Sequence, residues 1–259
     1  MNYGTILVAD KGPVRTITLN RPERRNAMTP EMQTELIAAM GDAVASGCRV
    51  LALAGAGQAF CSGLDLSALQ AMQDMTVSEH RADADRIAKL FRTLYELPIP
   101  TIAAVQGAAI AGGTGLAMIC DFTLATPTAK FGFTEARIGF VPAMVSAFLA
   151  LQIGDKRSRD LLLTGRLFDA EEAWRLGLVN EVVAPEELAQ RVQALADVLI
   201  ANSPKSLETT KRLIAVQNKA WLDAAIEAAL EISARSRGTA DFREGIAAFL
   251  EKRKPVWTK

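Results

Sequence analysis

Short apolar runs broken by glycine fill the first two-thirds of the chain, and apolar residues at helical spacing fill the rest. Residues 5–8 and 14–19 are predicted strands, joined by the turn Asp10-Lys11-Gly12-Pro13. Thr29 followed by Pro30 marks a helix start, and Gly47 a helix end. Residues 50–54 form an apolar run of strand length, followed by a glycine-bearing turn at 60–66. Residues 67–77 are polar and weakly periodic, which predicts a mobile loop over a site. Ile87, Leu90, Phe91, Leu94 and Leu97 recur at helical spacing within a helix expected over 78–97.

The stretch 100–146 organises the chain. Residues 101–105 are a core strand, Gly112 to Gly115 a tight turn, and residues 116–120 a short helix. The uncharged segment 97–120 is long enough to cross a bilayer, but its Ala, Gly and Pro content and the lack of basic flanks favour a buried strand–helix unit. Residues 158–163 are helical and end at Gly165. Asp169 and Glu172 resemble a capping box for a helix that Gly177 terminates, and 178–183 is a short strand. From residue 185 onward only helices are expected, over 185–201, 204–217, 222–237 and 239–252. Leu222, Ile226, Leu230 and Ile232 form an apolar face for a partner subunit or for their own domain. The alternation in the first part implies an α/β fold with a parallel sheet under helices.

The chain's 259 residues, half of them hydrophobic, suffice for one large domain with an appendage. Lys plus Arg balance Asp plus Glu at 29 each, so no global field draws the protein to nucleic acid or to an anionic membrane. Cys48, Cys61 and Cys120 are too scattered for a disulfide framework or a zinc site and fit a reduced, cytoplasmic protein. The N-terminal residues lack the pattern of a secretory signal.

Little catalytic chemistry survives elimination. His80 is the sole histidine and lies among charges on a predicted helix, where a solvated position is the expectation. A Ser-His-Asp triad, as in a serine peptidase, would have to use it, and no G-x-S-x-G elbow occurs. No metal site and no dinucleotide fingerprint is present. Two glycine turns and Glu135 remain. Backbone N–H groups from separate turns can converge on one oxyanion, and a carboxylate in the apolar run FGFTEARIGF has its pKa raised toward neutrality. Taken alone, the same residues also read as plain turns and a surface glutamate beside Arg137.

The residues resemble the crotonase, or enoyl-CoA hydratase/isomerase, superfamily over essentially the whole chain. LNRPERRNAM is similar to the loop that receives the CoA adenine and phosphates. AFCSGLDL and AAVQGAAIAGGTGLAMICDFTLA are similar to the two oxyanion turns. AKFGFTEARIGFVP is similar to the segment with a catalytic glutamate, and LLLTGRLFDAEEAWRLGLVNEVV to the stretch before the C-terminal helices.

The resemblance implies a spiral of ββα units spanning residues 1–184, a helical trimerisation region at 185–259, and a homotrimer or homohexamer acting on acyl-CoA thioesters. It places oxyanion donors at Leu64 and Gly112 and the catalytic carboxylate at Glu135. It places Arg25 and Ala27 along the CoA, with Arg24 for a phosphate, and makes Asp65 mainly structural, at the start of the following helix. No metal or separate cofactor is implied, because CoA arrives as part of the substrate. At Gly115 the chain reads GGTG where two-glutamate hydratases read GGxE, which leaves Glu135 as the single matched acid/base. Hydration and double-bond isomerisation are both expected activities, with a non-catalytic acyl-CoA-binding homologue as the alternative. The segment EARIGFVPAMVSAF also resembles variants near the methylglutaconyl-CoA hydratases of leucine breakdown, which usually keep both glutamates.

Overall fold

A computed structural model describes residues 3–258. A hairpin opens the chain, β1 (Ile6–Lys11) pairing antiparallel with β2 (Val14–Leu19) and turning at Gly12, whose φ is +58°. Helix α1 (Pro30–Ala45) follows, with the Thr29 hydroxyl accepting from the Met32 N–H and Pro30 in its first turn. These are the start signals legible in the sequence.

The chain then repeats one plan. A strand joins a large sheet, the next short strand joins a second sheet, and a helix covers both. The units are β3 (Val50–Gly55) with β4 (Ala59–Cys61), β5 (Thr101–Val105) with β6 (Ala108–Ile110), and β7 (Phe122–Ala125) with β8 (Lys130–Gly132). The helices after them are α2 (Leu66–Ala71) with α3 (Val77–Tyr95), α4 (Gly112–Ile119), and α5 (Ala143–Thr164). A closing segment adds β9 (Leu167–Asp169) to the small sheet, then α6 (Ala170–Leu176), then β10 (Glu181–Val182) at the edge of the large one. The large sheet runs β1-β2-β3-β5-β7-β10 and the small sheet β4-β6-β8-β9. From β2 onward every pairing is parallel except β8 with β9. The Gln106 side-chain amide ties two corners of the spiral together, donating to Gly55 O at 2.7 Å and Ala59 O at 3.0 Å.

Buried runs such as Val50–Leu53 and Ile102–Ala103 are apolar on both faces because helices cover both sides of the sheet. One face packs on α1, α3 and α4. The other packs on α7 (Leu188–Ala201), where Val50, Ile102 and Leu124 meet Ala196 and Leu199. Segment 97–120, long enough to span a bilayer, is instead divided among β5, β6 and α4, and no described helix is long and apolar enough to cross a membrane.

Several expectations are corrected. Residues 67–77 are mostly helical, as α2 and a 3₁₀ turn at Met72–Asp74. The Asp65 carboxylate caps α2 by accepting from the Ser67 N–H, and Leu69 and Met72 are buried against Phe242 and Ile246. The two helices expected over 204–237 are one, α8 (Pro204–Ser236), because nothing between Gln217 and Leu222 breaks a helix. Of its proposed partner face, Leu222, Ile226 and Leu230 pack within their own chain and only Ile232 is exposed. The final helix, α9 (Ala240–Leu250), closes over the turn at Glu135–Ile138. His80, expected in solvent, is buried on α3 with its ring edge-on to Phe242.

Candidate active site

Two backbone turns are pressed together at the ends of β4 and β6. After β4 the chain turns at Gly63, with φ +92°. Met28 and Leu64 form an isolated parallel bridge, in which Met28 N–H donates to Gly63 O at 2.7 Å and Asp65 N–H donates to Met28 O at 2.9 Å. The extended backbone aims alternate N–H groups to opposite sides, so the Leu64 N–H points away from this bridge. Among the described residues it has no backbone acceptor. Asn26 secures the loop before the bridge. Its buried amide donates to Ala56 O and Ala59 O, each at 2.8 Å, and accepts from Arg21 N–H at 2.9 Å. Arg21 then reaches across to Asp65 at 2.8 Å while also donating to Ala27 O at 2.6 Å.

The second turn carries its strain on Ala111, at φ +53° and ψ −119°, and not on a glycine. The run Gly112-Gly113-Thr114-Gly115, expected to be a turn, is the first half of α4. Its glycines serve close approach. A Cβ on Gly113 would lie 2.2 Å from Cys61 O, so no other residue allows the helix to start against β4. A Cβ on Gly63 would lie 3.1 Å from Ile110 O and 3.2 Å from the Ala111 methyl, which places the two turns in contact. Gly112 is the first residue of α4, so its N–H has no acceptor within the helix, and none from the backbone elsewhere among the described residues.

Glu135 opens the 3₁₀ turn Glu135–Ile138, which Gly139 closes at φ +65°. Phe140 N–H donates to Glu135 O at 3.0 Å. Leu64, Gly112 and Glu135 line one cavity, walled by apolar groups including Met28, Phe91 and Val145. The Glu135 carboxyl is buried and its Oε2 has no hydrogen-bond partner. Burial pushes its pKa up from 4.5 to about 7, with a backbone hydrogen bond from its own N–H acting the other way.

That rise predicts a pH-dependent cost. Below the unfolded value both states hold the proton and the site costs nothing. Between about pH 4.5 and 7 the unfolded chain ionises first, so stability falls with rising pH, and above that window the cost is constant. Replacing Glu135 with Gln removes the effect. The stability of the variant relative to wild type should therefore grow by roughly 3 kcal/mol across this window. Urea unfolding of both proteins on either side of it measures this, and an unchanged difference would mean that the carboxyl is not desolvated.

The other sequence-predicted residues fall around the cavity. Arg24 and Arg25 are exposed on the loop beside it, Arg25 in a left-handed conformation with its carbonyl accepting from Ser62 N–H at 3.0 Å. Ala27 is buried at the base of that loop, and Asp65 is the cap of α2. Gly115 lies behind the cavity wall. A Cβ there would lie 2.8 Å from Phe91 Cζ and from Val145 Cγ1, side chains that themselves form the wall. Sequence reasoning missed Arg21, Phe91, Ser233 and Arg237. Arg21 was one of three arginines in a single motif, and the last two reach the cavity from the far end of α8.

The enoyl-CoA hydratase/isomerase family model matches residues 10–259. A Thermus thermophilus protein is 42% identical over 247 residues, covering 95% of this chain and 98% of its own. A protein of Syntrophomonas wolfei named crotonyl-CoA hydratase is 34% identical, with 98% of each chain covered. The crystal structure of an enoyl-CoA hydratase/isomerase from Xanthobacter autotrophicus superposes with a TM-score of 0.89 at 34% identity, over 97% of this chain and 98% of that one. The spiral expected from the sequence is the fold of these proteins, and the chain belongs to the enoyl-CoA hydratase/isomerase family of enzymes.

Proposed function

We propose that the enzyme holds the thioester oxygen of an enoyl-CoA between the N–H groups of Leu64 and Gly112 and moves one proton with Glu135. The observation that carries this reading is the single buried carboxyl, with a free oxygen and a pKa near neutrality, in the same cavity as two unpartnered backbone donors. Such donors stabilise the enolate oxygen as charge develops on it. A carboxyl poised near pH 7 accepts and returns a proton with little bias.

Double-bond migration uses these parts and nothing more. The Glu135 carboxylate removes a proton from the α carbon of a 3-enoyl-CoA, and the freed pair forms a C1=C2 bond as the carbonyl π pair moves onto the oxygen; when the carbonyl re-forms, the double bond shifts to C2=C3 and the former C3=C4 pair takes the proton back from the carboxylic acid at the γ carbon. The product is the conjugated 2-enoyl-CoA. Hydration is the second reading, favoured by the name of the Syntrophomonas wolfei relative. It requires a water held at the β carbon, for which the hydroxyls of Ser62 and Thr134 on the cavity wall are the candidates. A methylglutaconyl-CoA-like substrate falls within the same enolate chemistry.

The exposed guanidinium groups of Arg24 and Arg25 beside the cavity suit the phosphates of CoA. For the assembly we read a homotrimer or a dimer of trimers, supported by the exposed apolar side chains of Val198, Leu213, Ile214 and Val216 on α7 and α8. The free, buried cysteines suit a cytoplasmic setting. Incubating the enzyme separately with a 3-enoyl-CoA and a 2-enoyl-CoA tests the reaction. Conjugation of the first supports the proton shuttle, and 3-hydroxyacyl-CoA formed from the second with no change in the first supports hydration.

A further inference from the structure

Arg237 is the second unsatisfied polar group in the wall of this cavity. It follows the last residue of α8 and is 4% exposed, and its Nε has no hydrogen-bond partner. Its guanidinium lies 4.9 Å from the centroid of the Phe140 ring, and Phe140 is the residue whose N–H holds the Glu135 carbonyl. Glu135, Phe140 and Arg237 all line the same cavity. Each keeps an orphaned buried atom, yet the two form no ion pair with each other among the described residues. A buried donor and a buried acceptor left unpaired in one cavity are costly unless a ligand satisfies them.

Charge bookkeeping fixes the sign of that ligand. Arg237 Nη1 donates to Asp83 at 2.7 Å, and Arg86 Nη2 donates to the other oxygen of the same carboxylate at 2.5 Å. Two guanidinium groups thus share one carboxylate, and arginine stays protonated in proteins. The Nε of Arg86 goes to the neutral Gln33 side chain at 3.0 Å. Burial pulls the pKa of neighbouring His80 downward, which favours its neutral form, so it does not change the charge count. The cluster carries one uncompensated positive charge, and Arg237 is its member on the cavity wall. Ser233, one helical turn earlier on α8, brings a hydroxyl to the same wall. The cavity is partly open and measures about 150 Å³, room for about six carbons between its walls.

We propose that Arg237, with Ser233 beside it, binds a carboxylate at the far end of a short acyl chain, so that the preferred substrates are CoA thioesters of dicarboxylic acids. This rests on the reading in which Leu64 and Gly112 hold the thioester oxygen and Glu135 serves the adjacent carbon. The chain then runs from the oxyanion turns past Glu135 to the guanidinium that lies over the Phe140 ring.

The test separates binding from chemistry by using saturated thioesters, which the enzyme cannot turn over. Glutaryl-CoA ends in a carboxylate, and 5-methylhexanoyl-CoA replaces that carboxylate with an isopropyl group of the same shape. Their common CoA cancels in the comparison. Titration calorimetry on the full-length protein should show glutaryl-CoA binding about 10- to 100-fold more tightly, the range of a charge-assisted hydrogen bond. In Arg237→Met the preference should vanish or reverse, and Arg237→Lys should keep part of it. Equal or tighter binding of 5-methylhexanoyl-CoA to the wild-type protein overturns the proposal without recourse to any variant. If neither thioester binds, the acyl-CoA site itself is wrong and the proposal falls with it. Selective binding of glutaryl-CoA by an enzyme that leaves every enoyl-CoA untouched would sink the reaction and leave the carboxylate subsite standing.

Discussion

Glu135→Gln is expected to lower turnover of an enoyl-CoA by about 10²- to 10⁴-fold, the usual contribution of a positioned acid/base group. The substitution nearly conserves shape, and Oε2 makes no hydrogen bond for the amide to break. Removing the proton carrier should therefore leave the 3₁₀ turn and the Phe140 N–H bond to the residue 135 carbonyl in place. Because the proton moves only in the chemical step, kcat and kcat/KM should fall together while the affinity for a saturated acyl-CoA is kept. Steady-state kinetics with circular dichroism as a check on folding measures this. A loss smaller than tenfold would move the acid/base role to another group.

Gly112→Pro should cost about 10²- to 10³-fold in kcat, the penalty for losing one oxyanion donor. Proline removes the N–H at the first position of α4, where a helix otherwise tolerates it. Gly112→Ala is the control. It keeps the donor, and its methyl would meet only the Met28 terminal methyl at 2.6 Å, the flexible end of a side chain that can rotate away. The expected order of activity is wild type, then alanine, then proline far below. Proline and alanine variants of equal activity, both folded, would show that the Gly112 N–H does not hold the substrate oxygen.

The fold was legible where local signals act alone. Thr29 with Pro30, Asp169, Gly165 and Gly177 start or end helices through their own side chains or φ values, and all four do so in the structure. The short strands β6 and β8 were not legible, since three residues carry no period and are strands only because each has a parallel neighbour. Asp65 caps α2 within the stretch 67–77, and the side chains Phe242 and Ile246 that cover Leu69 and Met72 come from the far end of the chain.

The residues of the proposed site stood out for a related reason. The proposed donors are backbone groups beside glycines, and the proposed acid stands in an apolar run. The contents of the cavity wall were not readable. Gly115 shows in the sequence as a missing carboxylate, but only the packing shows Phe91 and Val145 filling the space a side chain would need. Installing a second acid there requires making room in both. His80 and Arg237 sit among charges in sequence and are buried because α3, α8 and α9 pack together around them.

The most direct measurement is the pH dependence of kcat/KM for conversion of a 3-enoyl-CoA to the 2-enoyl-CoA. Glu135 must begin as the carboxylate, so the account predicts conjugation whose rate rises with pH and levels off above a midpoint near 7, where burial places its pKa. A 3-enoyl-CoA left unconjugated at every pH, by an enzyme that rapidly hydrates the 2-enoyl-CoA, would contradict the single-carboxylate proton shuttle.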